Sequence, residues 1–140
     1  GPLDWWEARQ RKRGWEDALA EAGISDTDRQ WVEGNWSPKS GETAFVRLLD
    51  QYPEMDAVFV ANDQMALSTL LVAHRRGMQV PDDLGVVGFD GIPEAAYFWP
   101  PLTTVDQDNW KVGAVAVREL IHAIEIDRAG TGESQPGTIY

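Results

Sequence analysis

Near the middle of the chain, an uninterrupted apolar run gives way to a helical pattern. Residues 57–61 are all apolar and include β-branched and aromatic side chains, which is typical of a strand buried on both faces of a parallel sheet. Asn62 and Asp63 follow at once, and the next helix is expected to begin with Asp63 as its N-cap and to stop at Gly77. Because ligands of open α/β sheets bind beyond the carboxyl ends of the strands, Asn62 is a candidate binding residue.

The same alternation of strand and helix continues on both sides of this unit. Periodicity and stop signals predict further strands at 31–33, 85–89 and 102–105, and helices at 4–22, 38–52, 64–76, 93–99 and 110–126. Asp4 and Ser37 are the expected caps of the first two helices. The expected apolar stripes are Trp15, Ala18, Leu19 and Ala22 on the first helix and Val112, Val115, Leu120, Ile121 and Ile124 on the last. This order of elements predicts an α/β fold with a doubly wound, mostly parallel sheet.

The two ends of the chain suggest a fragment of a larger protein. A helix follows Gly1-Pro2 directly, as if a strand had just ended, and Thr138-Ile139-Tyr140 looks like the start of another strand. We therefore expect residues 1–126 to form one subdomain and residues 127–140 to form a loop that leads to a truncated last strand. Gly1-Pro2 is also consistent with a cloning scar.

Composition narrows the functional classes. The 140 residues carry a formal net charge of −11, which argues against this piece binding nucleic acid by itself, because phosphate contacts need a basic patch. There is no cysteine, so disulfides and thiolate metal sites are excluded. The absence of cysteine also suits a cytoplasmic protein. No apolar run approaches the length of about 18 residues that a membrane span needs. No catalytic, metal-binding or cofactor-binding motif is present, so we expect neither an enzyme nor a resident cofactor.

Polar and aromatic residues gather at the predicted strand ends. They are Trp36, Asn62, Asp90 and Gln107-Asp108. A carboxylate, an amide and an indole at one edge of a sheet suit a polyhydroxylated small molecule, and an arginine of the first helix could balance the carboxylate. The alternative is that each of these residues is only a helix cap.

Taken in order, several sequence blocks resemble the effector-binding domain of the lactose-repressor (LacI/GalR) family of bacterial transcription regulators. The blocks are Gly1-Pro2, Arg11-Lys12-Arg13-Gly14-Trp15, Gly34-Asn35-Trp36-Ser37, residues 56–66 and 76–83, Val86-Val87-Gly88-Phe89-Asp90, residues 100–105, and Gln107-Asp108. The resemblance covers nearly the whole chain up to its tail. Each block alone is weakly specific, whereas the ordered set is strongly specific.

This resemblance implies a periplasmic-binding-protein-like fold of two α/β subdomains with a ligand cleft between them. The chain would be most of the C-terminal subdomain, with its first strand, the first subdomain, a hinge helix and a DNA-reading helix-turn-helix upstream. The implied function is ligand sensing in a cytoplasmic homodimeric regulator, most often a repressor, with a small carbohydrate as effector and operator DNA as partner of the upstream segment. The alternative is an extracytoplasmic sugar-binding protein that feeds a transporter.

The resemblance also implies individual roles. The ligand-binding residues would be Arg11, Trp36, Asn62, Asp90 and Gln107. Asn109 and Gly91 depart from the family pattern, because many members have an aromatic residue and a second acid at these positions. The dimer would be formed by Leu67, Leu70, Leu71, Tyr97 and Phe98, whose alternative role is in the core.

Overall fold

The structure, a computed structural model, describes residues 1–25 and 27–129. Its helices are α1 (Trp6–Glu21), α2 (Pro38–Gln51), α3 (Asp63–Arg75) and α4 (Asn109–Ala129), with a short 3₁₀ helix at Pro93–Tyr97. Its strands are β1 (Ala57–Phe59), β2 (Gly85–Asp90) and β3 (Thr103–Asp106). Helix and strand alternate as the sequence predicts.

The three strands form one sheet in the order β1-β2-β3, and both pairs are parallel. Ala57 lies opposite Gly85, and Val87 lies opposite Thr103. The predicted parallel α/β sheet is therefore confirmed. Because parallel strands share a direction, their carboxyl ends meet at one edge, where Asn62 and Asp90 follow β1 and end β2.

The hydrophobic core lies where α2 and α3 pack with the sheet. Its buried members include Phe45, Leu48, Val60, Met65, Leu70, Leu84 and Val86. A close approach of α2 to α3 depends on Gly41, because a Cβ at this position would lie 2.7 Å from backbone atoms of Met65 and 2.5 Å from the Ser68 hydroxyl. Only glycine allows the two helices this separation.

The strand predicted at 31–33 does not form. These residues adopt no regular secondary structure and pair with no strand in the described part of the chain, and the side-chain amide of Gln51 donates to the carbonyl of Trp31 at 3.0 Å instead. A cavity of about 510 Å³ is lined by residues 30–34 on one side and by residues 57–61 on the other. A strand exists only with a hydrogen-bonded partner, and across this cavity residues 31–33 have none.

The free edge of β1 faces the same cavity. The amide of Val60 donates to Val87, and the carbonyl of Asp56 accepts from Gly85. In a parallel ladder, alternate residues direct both backbone groups to the same side. The backbone groups of Ala57 and Phe59 therefore point away from β2, and no partner for them lies in residues 1–25 and 27–129.

Helix α1 differs from its prediction in two respects. Its N-cap is Trp5 rather than Asp4, and no side chain caps it. Trp15 and Leu19 of the predicted apolar stripe line the cavity, whereas Ala18 and Ala22 are exposed. The stripe lies over the cavity rather than over packed side chains, so only Ala8 of this helix is buried.

The cap of α3 is Asn62, not Asp63. The Asn62 side-chain oxygen accepts from the amide of Met65 at 3.0 Å. Either residue type can cap a helix, but Asp63 is fully buried and its carboxylate is engaged by other elements. The predicted cap of α2 is correct, since the Ser37 hydroxyl accepts from the amide of Ser40 at 3.2 Å.

The described residues from Gln107 onward belong to a second compact unit, which we describe by itself. Helix α4 begins after Asp108, whose carboxylate accepts from the amide of Lys111 at 3.1 Å, and continues to Ala129, three residues past its predicted end. Most of the predicted stripe (Val112, Leu120, Ile121 and Ile124) is exposed, and Val115 is half-buried. The loop predicted to begin at residue 127 is therefore helical as far as Ala129. The rest of that loop and the truncated last strand lie outside the described residues.

Among the helices described, none combines the length and the apolar character that crossing a bilayer demands.

Candidate ligand-binding site

Arg11 joins three elements at the carboxyl edge of the sheet. Its guanidinium donates to the carbonyl of Ala61, just beyond β1, and lies 3.2 Å from the carboxylate of Asp90 at the end of β2. The Arg11 side chain is 14% exposed and that of Asp90 is 29% exposed. Such a forked contact uses the planar donor geometry that only arginine has.

Two aromatic rings flank the guanidinium. Its carbon lies 4.0 Å from the ring centre of Phe89 and 5.2 Å from that of Trp36. Both distances are within the range of cation–π attraction. The rings fix the plane of Arg11, so its remaining donors have a defined direction.

The backbone of Trp36 is held in an unusual conformation. Its φ of 72° lies in the left-handed region, which a bulky residue adopts only when the surroundings impose it. The side-chain amide of Asn62 donates to the Trp36 carbonyl at 3.0 Å, while Asn35 and Ser37 hydrogen-bond on the other side of the turn. Asn62 therefore ties the turn to the start of α3, and one of its two amide hydrogens is already used within the protein.

Asp90 is also strained, with a φ of 116°. The buried carboxylate of Asp63 secures the turn that follows, accepting from the amide of Ile92 at 3.0 Å and from the hydroxyl of Thr104 at 2.6 Å. The Thr104 oxygen in turn accepts from the amide of Gly91 at 3.3 Å. Strained residues at functional sites persist only when such contacts over-determine them.

The indole nitrogen of Trp36 is buried and has no hydrogen-bond partner within the described residues. The same ring packs on Gly1, where a Cβ would lie 2.1 Å from it.

The structure brings together four of the five predicted binding residues, namely Arg11, Trp36, Asn62 and Asp90. Gln107 belongs to the second unit, and its role stays a prediction. Sequence reasoning missed Phe89, although it immediately precedes Asp90 on the same strand. It also missed Trp5, which packs on Trp36 with ring centres 6.2 Å apart and an angle of 64° between the planes.

The predicted dimer residues fall into two groups. Leu67, Leu71 and Tyr97 are exposed in this single chain, as residues that contact a second subunit must be. Leu70 is 4% exposed and belongs to the core, so its predicted contact with a partner is corrected to a packing role. Phe98 is half-buried against the same core.

Chemically, the arrangement combines a carboxylate, a forked cation and flat apolar faces. It can accept and donate hydrogen bonds to neighbouring hydroxyls while an indole covers a C–H face. In the part of the chain that the structure describes, no group of three or more potential metal ligands occurs.

Comparison with known proteins gives a consistent result. The family described as periplasmic binding protein-like domain matches residues 3–139. Two similar curated relatives are the HTH-type transcriptional repressor PurR of Edwardsiella ictaluri, 38% identical over 91% of this chain, and the ribose operon repressor of Escherichia coli strain K12, 37% identical over 89%. In each case the match covers 38% of the relative, so this chain spans less than half the length of these proteins.

Solved structures agree. A complex of the transcriptional regulator CelR with cellobiose superposes with a TM-score of 0.84 at 34% identity, over 95% of this chain and 40% of that one. The lac repressor dimer bound to operator and the anti-inducer ONPF gives a TM-score of 0.79 at 35% identity, over 88% of this chain and 42% of that one. The resemblance in fold is thus accompanied by substantial identity in sequence.

Proposed function

This chain belongs to the periplasmic binding protein-like domain family, in the form found in LacI/GalR effector-binding domains, and we propose that it senses a small carbohydrate for a DNA-binding transcription regulator. The similar proteins are named as repressors and not as enzymes. Repression is accordingly the proposed direction of regulation, and no catalytic activity is proposed.

The observation that carries the proposal is the guanidinium of Arg11, held between Phe89 and Trp36 and paired with Asp90. An ion pair at a strand end, bordered by aromatic rings, offers the sugar hydroxyls both a donor fork and an acceptor. Asn62 supplies a remaining amide hydrogen, and Gln107 is proposed to reach the same ligand. One similar structure is a cellobiose complex, which supports a carbohydrate as the ligand class.

The proposed mechanism is a change in subdomain orientation. A carbohydrate that binds one orientation more tightly shifts the population towards it, and the difference in affinity limits the size of the shift. In a cytoplasmic homodimer, this would alter the spacing of helix-turn-helix heads on operator DNA. Those heads are not part of this chain.

The test is calorimetry of the intact protein with a panel of sugars, combined with operator binding by mobility shift. Asp90→Ala is expected to weaken effector binding by about 2 kcal/mol or more, because Arg11 and the hydroxyls lose an acceptor. Asp90→Asn is the matched variant, since it keeps the shape and tolerates the positive φ. An unchanged dissociation constant for Asp90→Ala would refute this assignment.

A further inference from the structure

A fully buried carboxylate follows the candidate binding residue Asn62 in the chain. It belongs to Asp63, and the proposed contacts with the ligand do not involve it. Asp63 is the first residue of α3, where the positive end of the helix dipole favours a negative charge. A charge buried this completely is retained only when other groups hold it, so its partners indicate its role.

Both oxygens of this carboxylate are bound, and both bonds lead to the turn after β2. One oxygen accepts from the amide of Ile92 at 3.0 Å, and the other accepts from the hydroxyl of Thr104 at 2.6 Å. The Thr104 oxygen accepts in turn from the amide of Gly91 at 3.3 Å. Asp63 therefore holds two successive amides of the turn that starts at Asp90, one directly and one through Thr104.

The sheet leaves room for the carboxylate at this point. Gly88 of β2 lies opposite Thr104 of β3 in the parallel pair. A Cβ on Gly88 would lie 2.2 Å from a carboxylate oxygen of Asp63, so any other residue at this position would push the carboxylate out of place. One strand thus supplies the space and its neighbour supplies the hydroxyl, and together they fix where the carboxylate lies.

The turn held in this way directs the side chain of Asp90. The φ of Asp90 is 116°, a conformation that persists only when outside contacts impose it. Its carboxylate lies 3.2 Å from the guanidinium of Arg11. If Asp63 released the amides of Gly91 and Ile92, Asp90 could relax to an ordinary backbone conformation and its carboxylate would turn away from Arg11.

The neighbouring side chain acts in the same way on the other half of the site. Asn62 donates to the carbonyl of Trp36 at 3.0 Å, and Trp36 also has a positive φ, 72°. Trp36 and Asp90 both contact Arg11. Two adjacent residues at the start of α3 therefore hold the two strained turns whose side chains meet the guanidinium.

We propose that Asp63 is a positioning residue for the ligand, which fixes the direction of the Asp90 carboxylate through Ile92 and Thr104 without touching the ligand itself. This inference rests on the proposed ligand-sensing function and adds to it a residue that lies behind the binding edge. Asp63 acts on affinity only through Asp90, whereas a purely structural residue would act on stability alone.

The experiment is calorimetry on the intact protein with D-glucose, D-galactose, cellobiose, lactose and adenine, and the probe that wild type binds most tightly is used for the variants. Asp63→Asn keeps the size of the side chain but has one acceptor oxygen instead of two. We expect it to weaken binding by about tenfold or more.

Thr104 provides a second pair of variants, which decides the matter if Asp63→Asn does not fold. Thr104→Val removes the hydroxyl at nearly constant shape and should weaken binding by about fivefold. Thr104→Ser keeps the hydroxyl and should bind within about twofold of wild type.

Leu84→Ala is the control for a general loss of stability. Leu84 is fully buried and precedes β2, so it lies about 20 Å from Asp90 at the ordinary rise of a strand. The substitution destabilises the core at the far end of the sheet. At a temperature well below unfolding, its affinity should stay within about twofold of wild type.

A double-mutant cycle tests whether Asp63 acts through Asp90. In the Asp90→Ala background, Asp63→Asn should change the affinity by less than about twofold, because the side chain that it positions is already absent.

The outcomes separate an error in this inference from an error in the proposed function. The positioning role is wrong if wild type binds a probe and Asp63→Asn binds it equally well, if Leu84→Ala weakens binding as much, or if the effects of Asp63→Asn and Asp90→Ala are additive. The sensing function would then still stand. If adenine binds and no sugar does, the carbohydrate class is wrong, and the same variants decide the positioning role with adenine. If wild type binds none of the five probes, both proposals fail.

Discussion

One guanidinium nitrogen of Arg11, on the first helix, lies 3.2 Å from a carboxylate oxygen of Asp90, at the end of the second strand. Both side chains of the pair are largely buried, and the contact of Arg11 with the Ala61 carbonyl reinforces the pair. Removing one partner of such a pair destabilises the protein by more than the intact pair stabilises it, because the remaining charge is left without a partner. The pair therefore orients the site, in addition to its proposed role in binding the ligand.

Replacing Arg11 by lysine should impair the site even though the charge is kept. A single ammonium group cannot bind Ala61 and Asp90 as a fork, nor stack on Phe89. We expect Arg11→Lys to weaken binding of the sugar found in the screen by about tenfold or more, measured by calorimetry. Arg13→Lys, which affects an exposed ion pair with Asp17, should leave the affinity unchanged, and equal affinities for wild type and Arg11→Lys would contradict the prediction.

Removing the buried carboxylate of Asp63 should destabilise the fold. Asp63→Ala leaves the Ile92 amide and the Thr104 hydroxyl without their acceptor, and we expect a loss of about 2–4 kcal/mol in the free energy of unfolding. Urea denaturation of the intact protein measures it. The exposed Asp50 provides the control, since Asp50→Ala should change stability by less than about 0.5 kcal/mol.

The contribution of Thr104 can be separated by a double-mutant cycle. If Asp63 and Thr104 act as one unit, Thr104→Val should cost less in the Asp63→Ala background than in wild type. Strictly additive effects would show that the short hydrogen bond between them contributes little.

Two glycines in helices should respond to alanine in opposite directions. Gly41→Ala should destabilise by about 1–3 kcal/mol, because the new Cβ meets the Met65 backbone at 2.7 Å. Gly14→Ala adds a Cβ with nothing within 4 Å, so it should stabilise α1 by up to about 1 kcal/mol through helix propensity. Thermal unfolding of both variants tests this, and a stabilising Gly41→Ala would contradict the close packing of α2 on α3.

The predicted homodimer depends on exposed apolar residues of α3. Leu71→Lys should raise the dimer dissociation constant by about tenfold or more, because it buries a charge in an apolar interface. Ile24→Lys is a matched control, since Ile24 and Leu71 are 43% and 44% exposed. Sedimentation equilibrium of the intact protein measures the constants, and equal effects of both substitutions would exclude this face of α3 from the interface.

The sequence predicted those features that local patterning determines. Long apolar runs identified the strands at 57–61 and 85–89, and Ser37 before Pro38 identified the start of α2. The strand predicted at 31–33 does not form because a strand needs a hydrogen-bonded neighbour, and sequence periodicity does not show whether that neighbour is present. Asn62 and Asp63 are adjacent residues with equal capping ability, and only the burial of Asp63 decides between them.

Site residues followed the same division. Asn62 and Asp90 were predicted from their places at strand ends and from the resemblance, whereas Arg11 was predicted from the resemblance alone. Phe89 and Trp5 were missed because their importance lies in ring contacts between distant segments. Leu70 was assigned to an interface because the pattern of a helix shows which residues are apolar, but not which of two faces is covered.

The open edge of β1 has a consequence for handling this polypeptide. Backbone groups of Ala57 and Phe59 lie beside an apolar cavity and have no partner in the described residues, and such an edge is a template for strand addition by another chain. We expect aggregation through this edge to limit the soluble concentration of the polypeptide, and to occur before any helical structure is lost. Soluble yield should therefore depend more on whether an extended segment shields the cavity than on the strength of the hydrophobic core.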